Sequence, residues 1–289
     1  MLCLFTDTDT DITAIEAKEY GYKLISMPYL VNGKEIKPYE DFEVFESKEF
    51  YDMLRAGTIP TTCAISPVAY QKYFEPEFQK GNDILYVHFS KAMSGTFNAM
   101  KIAVDELLEK YPERKFYTVD TKAITICSLN IVKEIGDMYK EGKSIEEIIE
   151  WSEKEVDHFA QYFFADDLKF FARSGRISNF SSVMGNLIGV KPIIYMDENG
   201  MMTNISKERG RNNALKRLVS YVEELGDNIK EHRIIIGHTD SLDLASKLAE
   251  MLREKFGEDL RIEYAVVNPT AGSHCGPDAV GLCFHSKRR

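Results

Sequence analysis

Apolar residues fall along this chain in short runs, separated by segments in which they recur every three or four positions. The runs "LCLFT" (2–6), "ILYVHFS" (84–90), "KFYTVD" (115–120), "YFFAD" (162–166), "KPIIYM" (191–196), "RIIIGHT" (233–239) and "IEYAVVN" (262–268) predict strands. Between them, Ala99, Met100, Ala103, Val104, Leu107 and Leu108 share one side of a helix predicted over 97–110. Leu242, Ala245, Leu248, Ala249 and Leu252 do the same over 241–256, and both helices are expected to start at serine-type caps. Two further helices are expected over 128–141 and 144–157, the second opened by Ser144 and Glu147 in capping-box spacing. Strands alternating with helices define an α/β protein. After these helices "DENGMMTN" sets Asn199-Gly200 between two apolar segments, which predicts a hairpin and some antiparallel pairing in the second half. The division expected is an N-terminal α/β domain over 1–158 and a C-terminal α+β domain over 159–289.

Composition narrows the function. A chain of 289 residues with 44% hydrophobic content can bury a full core. Its 36 basic against 46 acidic residues give a net charge of −10, which argues against nucleic acid or an anionic membrane surface as the main partner. No apolar stretch is long enough to span a bilayer, and the N-terminus lacks the pattern of a secretory signal, so a cytoplasmic location is expected. Cys3, Cys63, Cys127, Cys275 and Cys283 are scattered and odd in number, as free thiols in a reducing compartment would be.

Six stretches could carry chemistry. "LCLFTDTDTDIT" (2–13) alternates Asp7, Asp9 and Asp11 with threonines; Asp9, Asp11 and Thr13 match the letters of a haloacid-dehalogenase-type phosphatase motif, with "FADD" (164–167) as a later acidic element. The register disagrees, because the apolar run ends at Phe5 and the nucleophile position would fall on Asp7. The simpler reading has Asp7 ending a strand and Asp9 or Asp11 capping the next helix. "HFSKAMSGTFNAM" (88–100) places Ser94, Gly95 and Thr96 between a strand and a helix, where hydroxyls and free N–H groups can either hold an anion or simply cap the helix. "IPTTCAISP" (59–67) is a turn of hydroxyls from Thr61, Thr62 and Ser66 between prolines, and "NPTAGSHCGPDAVG" (268–281) surrounds His274 with residues that let a ligand approach the backbone. A metal role for His274 with Cys275, Cys283 or His285 lacks ligand spacing. "FFARSGRISN" (170–179) and "KERGRNNALKR" (207–217) are basic islands: solvated faces or docking points for something acidic.

Taken in order, these stretches resemble the DegV family of bacterial fatty-acid-binding proteins. "TDTDTDI" (6–12) is similar to the family's TDSxxDL, "TTCAISP" (61–67) to TTSQPSP, and "SKAMSGTFNA" (90–99) to SxxLSGTxxxA. "DTKAITIC" (120–127) is similar to DSxxxSxG, "LKFFARSGRIS" (168–178) to LxxLxxGGRIS, and "GSHCGPDAVG" (272–281) to GxHxGPGAxG. The resemblance implies a two-domain DegV-like fold: an N-terminal Rossmann-like parallel sheet with helices, a C-terminal α+β domain, and a ligand tunnel between them. It implies a non-catalytic carrier that holds a long-chain fatty acid in the tunnel and presents it to a separate ATP-dependent fatty-acid kinase subunit, which forms an acyl phosphate. The carboxylate ligands implied are Thr62, Ser94 and His274, with the Gly95 and Thr96 amides and Thr61 nearby. Such a donor set suits a buried carboxylate, which is costly to enclose unless several donors meet it. No cofactor and no metal are implied.

Arg173, Arg176, Arg209 and Arg211, with Lys207, are the expected docking or charge-offsetting residues. The chain departs from the family pattern at Cys63, Ala64, Ile65, Cys127, Leu129 and Asp278. Larger residues there would shorten or reshape the tunnel, and Asp278 would disfavour an anion if it pointed inward. Two other readings stand beside the carrier: a Mg²⁺-dependent phosphatase using Asp7 or Asp9, and a binding module for another small anion.

Overall fold

The opening apolar run forms β1 (Leu2–Asp7), buried progressively until Asp7 is fully enclosed, in a computed structural model that describes residues 1–178 and 189–289. Asn179, the last residue of the first basic island, lies outside the described residues. A short 3-10 turn, Thr8–Thr10, separates β1 from α1 (Ala14–Glu19). The cap of α1 is Thr13, not Asp9 or Asp11: its hydroxyl accepts the Glu16 N–H, and the Glu16 carboxylate accepts the Thr13 N–H. The turn carries the acids inward before the helix can begin. Asp7 accepts the Asp9 N–H at 3.0 Å, and Asp11, at φ 61°, closes the turn.

After β2 (Tyr22–Ile25) comes an antiparallel excursion of β3 (Tyr29–Val31), β4 (Lys34–Ile36) and, beyond α2 (Ser47–Arg55), β5 (Thr61–Thr62). The chain then returns through α3 (Pro67–Gln79), β6 (Asp83–His88), α4 (Thr96–Lys110) and β7 (Phe116–Asp120). The main N-terminal sheet is parallel, in the order β2-β1-β6-β7. Since β2 lies on one side of β1 and β6 on the other, the strand order reverses between β1 and β6. A crevice therefore opens beyond their carboxyl ends, where open α/β sheets hold ligands. The acid-rich turn and the loop carrying Ser94 both leave from that edge.

Two helices follow, α5 (Ile126–Lys140) and α6 (Ile145–Glu155), the latter with the expected Ser144–Glu147 capping box. The remaining elements are β8 (Phe159–Phe164), α7 (Lys169–Ser174), β9 (Ile177–Ser178), β10 (Val190–Met196), β11 (Met202–Arg209), α8 (Arg211–Leu225), β12 (Ile234–His238), α9 (Leu242–Phe256), β13 (Ile262–Val266), α10 (Pro269–Cys275) and β14 (Val280–His285). Their seven strands form one mixed sheet, β13-β12-β14-β8-β10-β11-β9, parallel only at β12–β13 and β9–β11. β10 and β11 make the hairpin expected at Asn199-Gly200, with the Asp197 carboxylate accepting from the Asn199 and Met201 N–H groups. Ser241 takes the N-cap position of α9 as expected, but makes no side-chain cap bond, and the expected serine cap of α4 is replaced by Gly95. Ser241 donates its hydroxyl to the Ala279 carbonyl at 3.0 Å, and α4 starts at Gly95 without a side-chain cap. Ser94, one residue earlier, accepts the Thr96 N–H at 3.2 Å.

The core runs through both sheets. One buried cluster joins Phe5, Phe74 and Phe89 to Phe163, Phe171 and Met196, and another joins Leu4 and Val87 to Phe159, Ile235 and Cys283. α5 lies between, packed on β8, β12 and β14 and buried along most of its length. Among the described residues no helix is long and apolar enough to cross a membrane.

Candidate functional site

At the reversal point between β1 and β6 lies a partly open cavity of about 80 Å3. Its wall draws on both sheets. Met27, Phe89, Met93, Ile126, Phe163 and Met202 make it mainly apolar. So small a free space among so many lining residues makes the cavity a narrow passage.

Polar groups enter the wall from four directions. β5 pairs with β3, which sets Tyr29 opposite Thr62; alternation along the strand then turns Thr62 toward the cavity and leaves Thr61 exposed outside it. α10 brings in His274, whose Nε2 lies 3.0 Å from Thr62 Oγ1. α10 can end there because Gly276 adopts φ 72°, in a position where a Cβ would meet the Phe170 ring at 2.3 Å. The loop after β6 contributes Ser94, and the end of α7 leads to Arg176 in the same wall.

Burial, followed by the nearby Arg176 charge, lowers His274 to about 4 from the usual 6.5, so its imidazole is neutral at neutral pH. Whichever tautomer it takes, the Thr62–His274 pair has one proton left to donate. If the hydroxyl donates to Nε2, the Nδ1–H remains; if Nε2–H donates, the hydroxyl proton remains.

The other expected residues take different places. Gly95 lies in an open groove outside the cavity, lined also by Lys91, Lys101 and Asp120 and sharing Ser94 and Arg176 with the cavity. Thr96 lines the cavity, but its hydroxyl accepts the Ile65 N–H at 3.1 Å and meets the Tyr70 hydroxyl at 3.0 Å. It ties the Thr62 loop to α4. Ser90 does similar work, donating at 2.7 Å to the carbonyl of Gly200 at the hairpin tip. Arg173 and Arg209 are exposed, whereas Arg211 grips Asp166 through two bonds of 2.9 Å. Asp278 points away from the cavity, paired with Arg55 at 2.9 Å. Cys127 and Leu129 pack in the core rather than the cavity wall, so of the departures only Cys63 reaches the passage.

The geometry does not support a phosphatase pair among the opening acids. Asp7 is fully buried outside the cavity wall, accepting from the Tyr86 hydroxyl at 3.0 Å, the Phe89 N–H at 3.3 Å and the Asp9 N–H at 3.0 Å. Asp11 accepts both the N–H and the side-chain amide of Asn268, at 2.8 and 2.7 Å. Burial raises each to about 7. Among the described residues no group of three His, Cys, Asp or Glu could hold a metal ion. Two residues that sequence reasoning passed over, Thr125 and Gln161, join Asp9 in the wall. Gln161 is signalled only as the polar residue inside the apolar strand "FAQYFF".

A largely apolar passage at the switch point of a parallel sheet, walled on its other side by a second mixed sheet, is the build of an α/β small-molecule-binding protein. Along residues 1–287 the chain matches the family model described as "Uncharacterised protein, DegV family", and it belongs to the DegV family. A DegV domain-containing protein of Clostridium perfringens is 35% identical, over 97% of this chain and 96% of its own length. A second, from Caldanaerobacter subterraneus, is 28% identical over 99% of each. The fold matches a DegV family protein from Thermus thermophilus described for its fatty acid binding, with a TM-score of 0.85 at 23% identity over 99% of both chains. It also matches a stearic acid-binding protein from Eubacterium ventriosum, with a TM-score of 0.85 at 18% identity over 99% of both chains.

Proposed function

We propose that this protein binds a long-chain fatty acid in the cavity and presents it to a separate ATP-dependent fatty-acid kinase, without catalysing a reaction itself. The observation that carries this reading is the narrow apolar passage with Thr62, His274 and Ser94 in its wall, Thr62 and His274 already 3.0 Å apart. The acyl chain occupies the apolar part of the passage. The carboxylate takes the free proton of the Thr62–His274 pair and the Ser94 hydroxyl, beside the Arg176 charge, while Thr96 positions the Thr62 loop. Thr61, exposed, is left out of the ligand set, and Gly95 belongs to the outer groove.

The groove carries the partner side of the proposal. Because Ser94 and Arg176 border both spaces, a carboxylate held there lies next to a surface bearing Lys91 and Lys101. Arg173 and Arg209, both exposed, are the docking residues proposed; Arg211 serves Asp166.

Mass spectrometry of lipids extracted from the purified protein tests the binding, with a saturated or monounsaturated long-chain acid in stoichiometric amount expected. Failure to find or load any such acid would remove the proposal. For docking, Arg173→Glu with Arg209→Glu should leave lipid loading intact and slow acyl-phosphate formation by a fatty-acid kinase at least about tenfold, as reversing contact charges slows association. Unchanged turnover would assign docking to another face.

A further inference from the structure

Asp9 and Gln161 are unlike every other polar side chain in the cavity wall. Asp9 is 6% exposed and Gln161 3%. Neither Asp9 Oδ1 nor Gln161 Oε1 has a hydrogen-bond partner among the described residues. Gln161 is held in place from its other end, its Nε2 donating to Thr125 Oγ1 at 3.0 Å, and the Thr125 N–H donates to the Asp9 carbonyl at 2.8 Å. β8, the start of α5 and the turn after β1 thus fix two unanswered polar groups in the wall of a mainly apolar passage. Leaving such groups buried and unpaired is costly, and a plain hydrocarbon chain answers neither.

Their chemistry is specific. Burial, reinforced by the Asp7 and Asp11 carboxyls, shifts Asp9 upward and favours its protonated form, which can donate one hydrogen bond and accept another. Gln161 offers an acceptor. A donor and an acceptor lining one passage are together the complement of an alcohol.

Resting on the fatty-acid reading above, we propose that Asp9 and Gln161 form a second polar subsite within the passage, selecting acyl chains that carry a mid-chain hydroxyl. The Asp9 O–H donates to the hydroxyl oxygen, and the hydroxyl proton goes to Gln161 Oε1.

The test offers the purified, delipidated protein equal amounts of octadecanoic acid and monohydroxyoctadecanoic acids with the hydroxyl at successive mid-chain positions. Mass spectrometry then quantifies what is retained. At least one positional isomer should be preferred about tenfold, the scale set by one unpaired buried polar group. Asp9→Leu and Gln161→Met should each bring that preference close to parity while octadecanoic acid still loads. Replacing a buried unpaired acid by a hydrocarbon of similar size is tolerated by folding, and if Asp9→Leu fails to fold, Gln161→Met alone decides the matter. A wild-type preference near parity for every isomer, as a trapped water answering both groups would produce, overturns the subsite while leaving fatty-acid binding intact. A preference that survives both substitutions overturns it too. Retention of no acid at all brings down both readings.

Discussion

The acid-rich turn after β1 and the hydroxyl–imidazole cluster on β5 and α10 are both polar and largely enclosed, yet their hydrogen bonds are committed differently. In the turn, Asp7 holds three donors and Asp11 two, all from the protein itself. In the cluster, Thr62 and His274 hold only each other and keep one proton free. Satisfied groups brace the structure, whereas groups with capacity left over are available to a ligand. That distinction, rather than the density of carboxylates, separates architecture from function here, and it assigns Asp7 and Asp11 to the former.

The largest effect should come from breaking the braced side. Asp11→Ala leaves two Asn268 donors buried without an acceptor and should cost about 2–6 kcal/mol, at roughly 1–3 kcal/mol per orphaned group. Asp11→Asn keeps an oxygen for Asn268 and removes the charge. Folding raises Asp7 and Asp11 from 3.8 to about 7, so each is protonated more readily folded than unfolded. The resulting stability is complete below pH 4 and is lost as the pH climbs toward 7. Denaturant titrations at pH 5 and pH 8 should find the wild type weaker at pH 8 and Asp11→Asn less sensitive to that change. A wild type equally stable at both would mean the acids are ionised when folded, and the contrast between the two clusters would fail.

The cluster should respond in the opposite sense, with binding lost and stability nearly kept. Ser94→Ala with His274→Ala removes hydrogen bonds to the carboxylate worth roughly 1.5–3 kcal/mol each, so affinity should fall at least a hundredfold. Thermal denaturation of the lipid-free protein should move by only a few degrees, because Ser94 and His274 are half-buried and their side chains hold one helix amide and one hydroxyl. A collapse of the lipid-free fold would show that the cluster braces the structure too.

The strong apolar runs were legible in the sequence because buried strands carry them whole: seven runs became β1, β6, β7, β8, β10, β12 and β13. Elements with mixed signals were not. α3 contains Pro76 among its aromatics, β5 has only two residues, and α10, "PTAGSHC", has the composition of a loop. The Thr62–His274 pair joins residues 212 apart in sequence, and no local pattern announces it; only the order of the motifs did. Asp9 as a cavity residue was hidden for another reason. In a run of alternating acids, nothing in the letters says which carboxyl lacks a donor, because Asn268, Tyr86 and Phe89 supply them from distant segments.

The smallest expected effect concerns how the open cluster keeps its free proton. His274 is neutral chiefly because it is buried, with the Arg176 charge as the lesser cause. Arg176→Gln should therefore raise its pKa only slightly, leaving it below the ordinary value of 6.5, as an NMR titration of the imidazole would record. The wild-type ring should stay neutral from pH 5 to pH 8, and the affinity of the lipid site should then carry no His274 step across that range. A rise to the ordinary value or beyond in Arg176→Gln would make the guanidinium, not burial, the controlling cause. The pair would then gain a second proton in mild acid and become a charged anion clamp, joining the acid turn as a place where pH sets the protein's properties. A small rise keeps the two clusters distinct: one whose protonation follows the solution and tunes stability, the other held neutral by its surroundings and ready for a ligand.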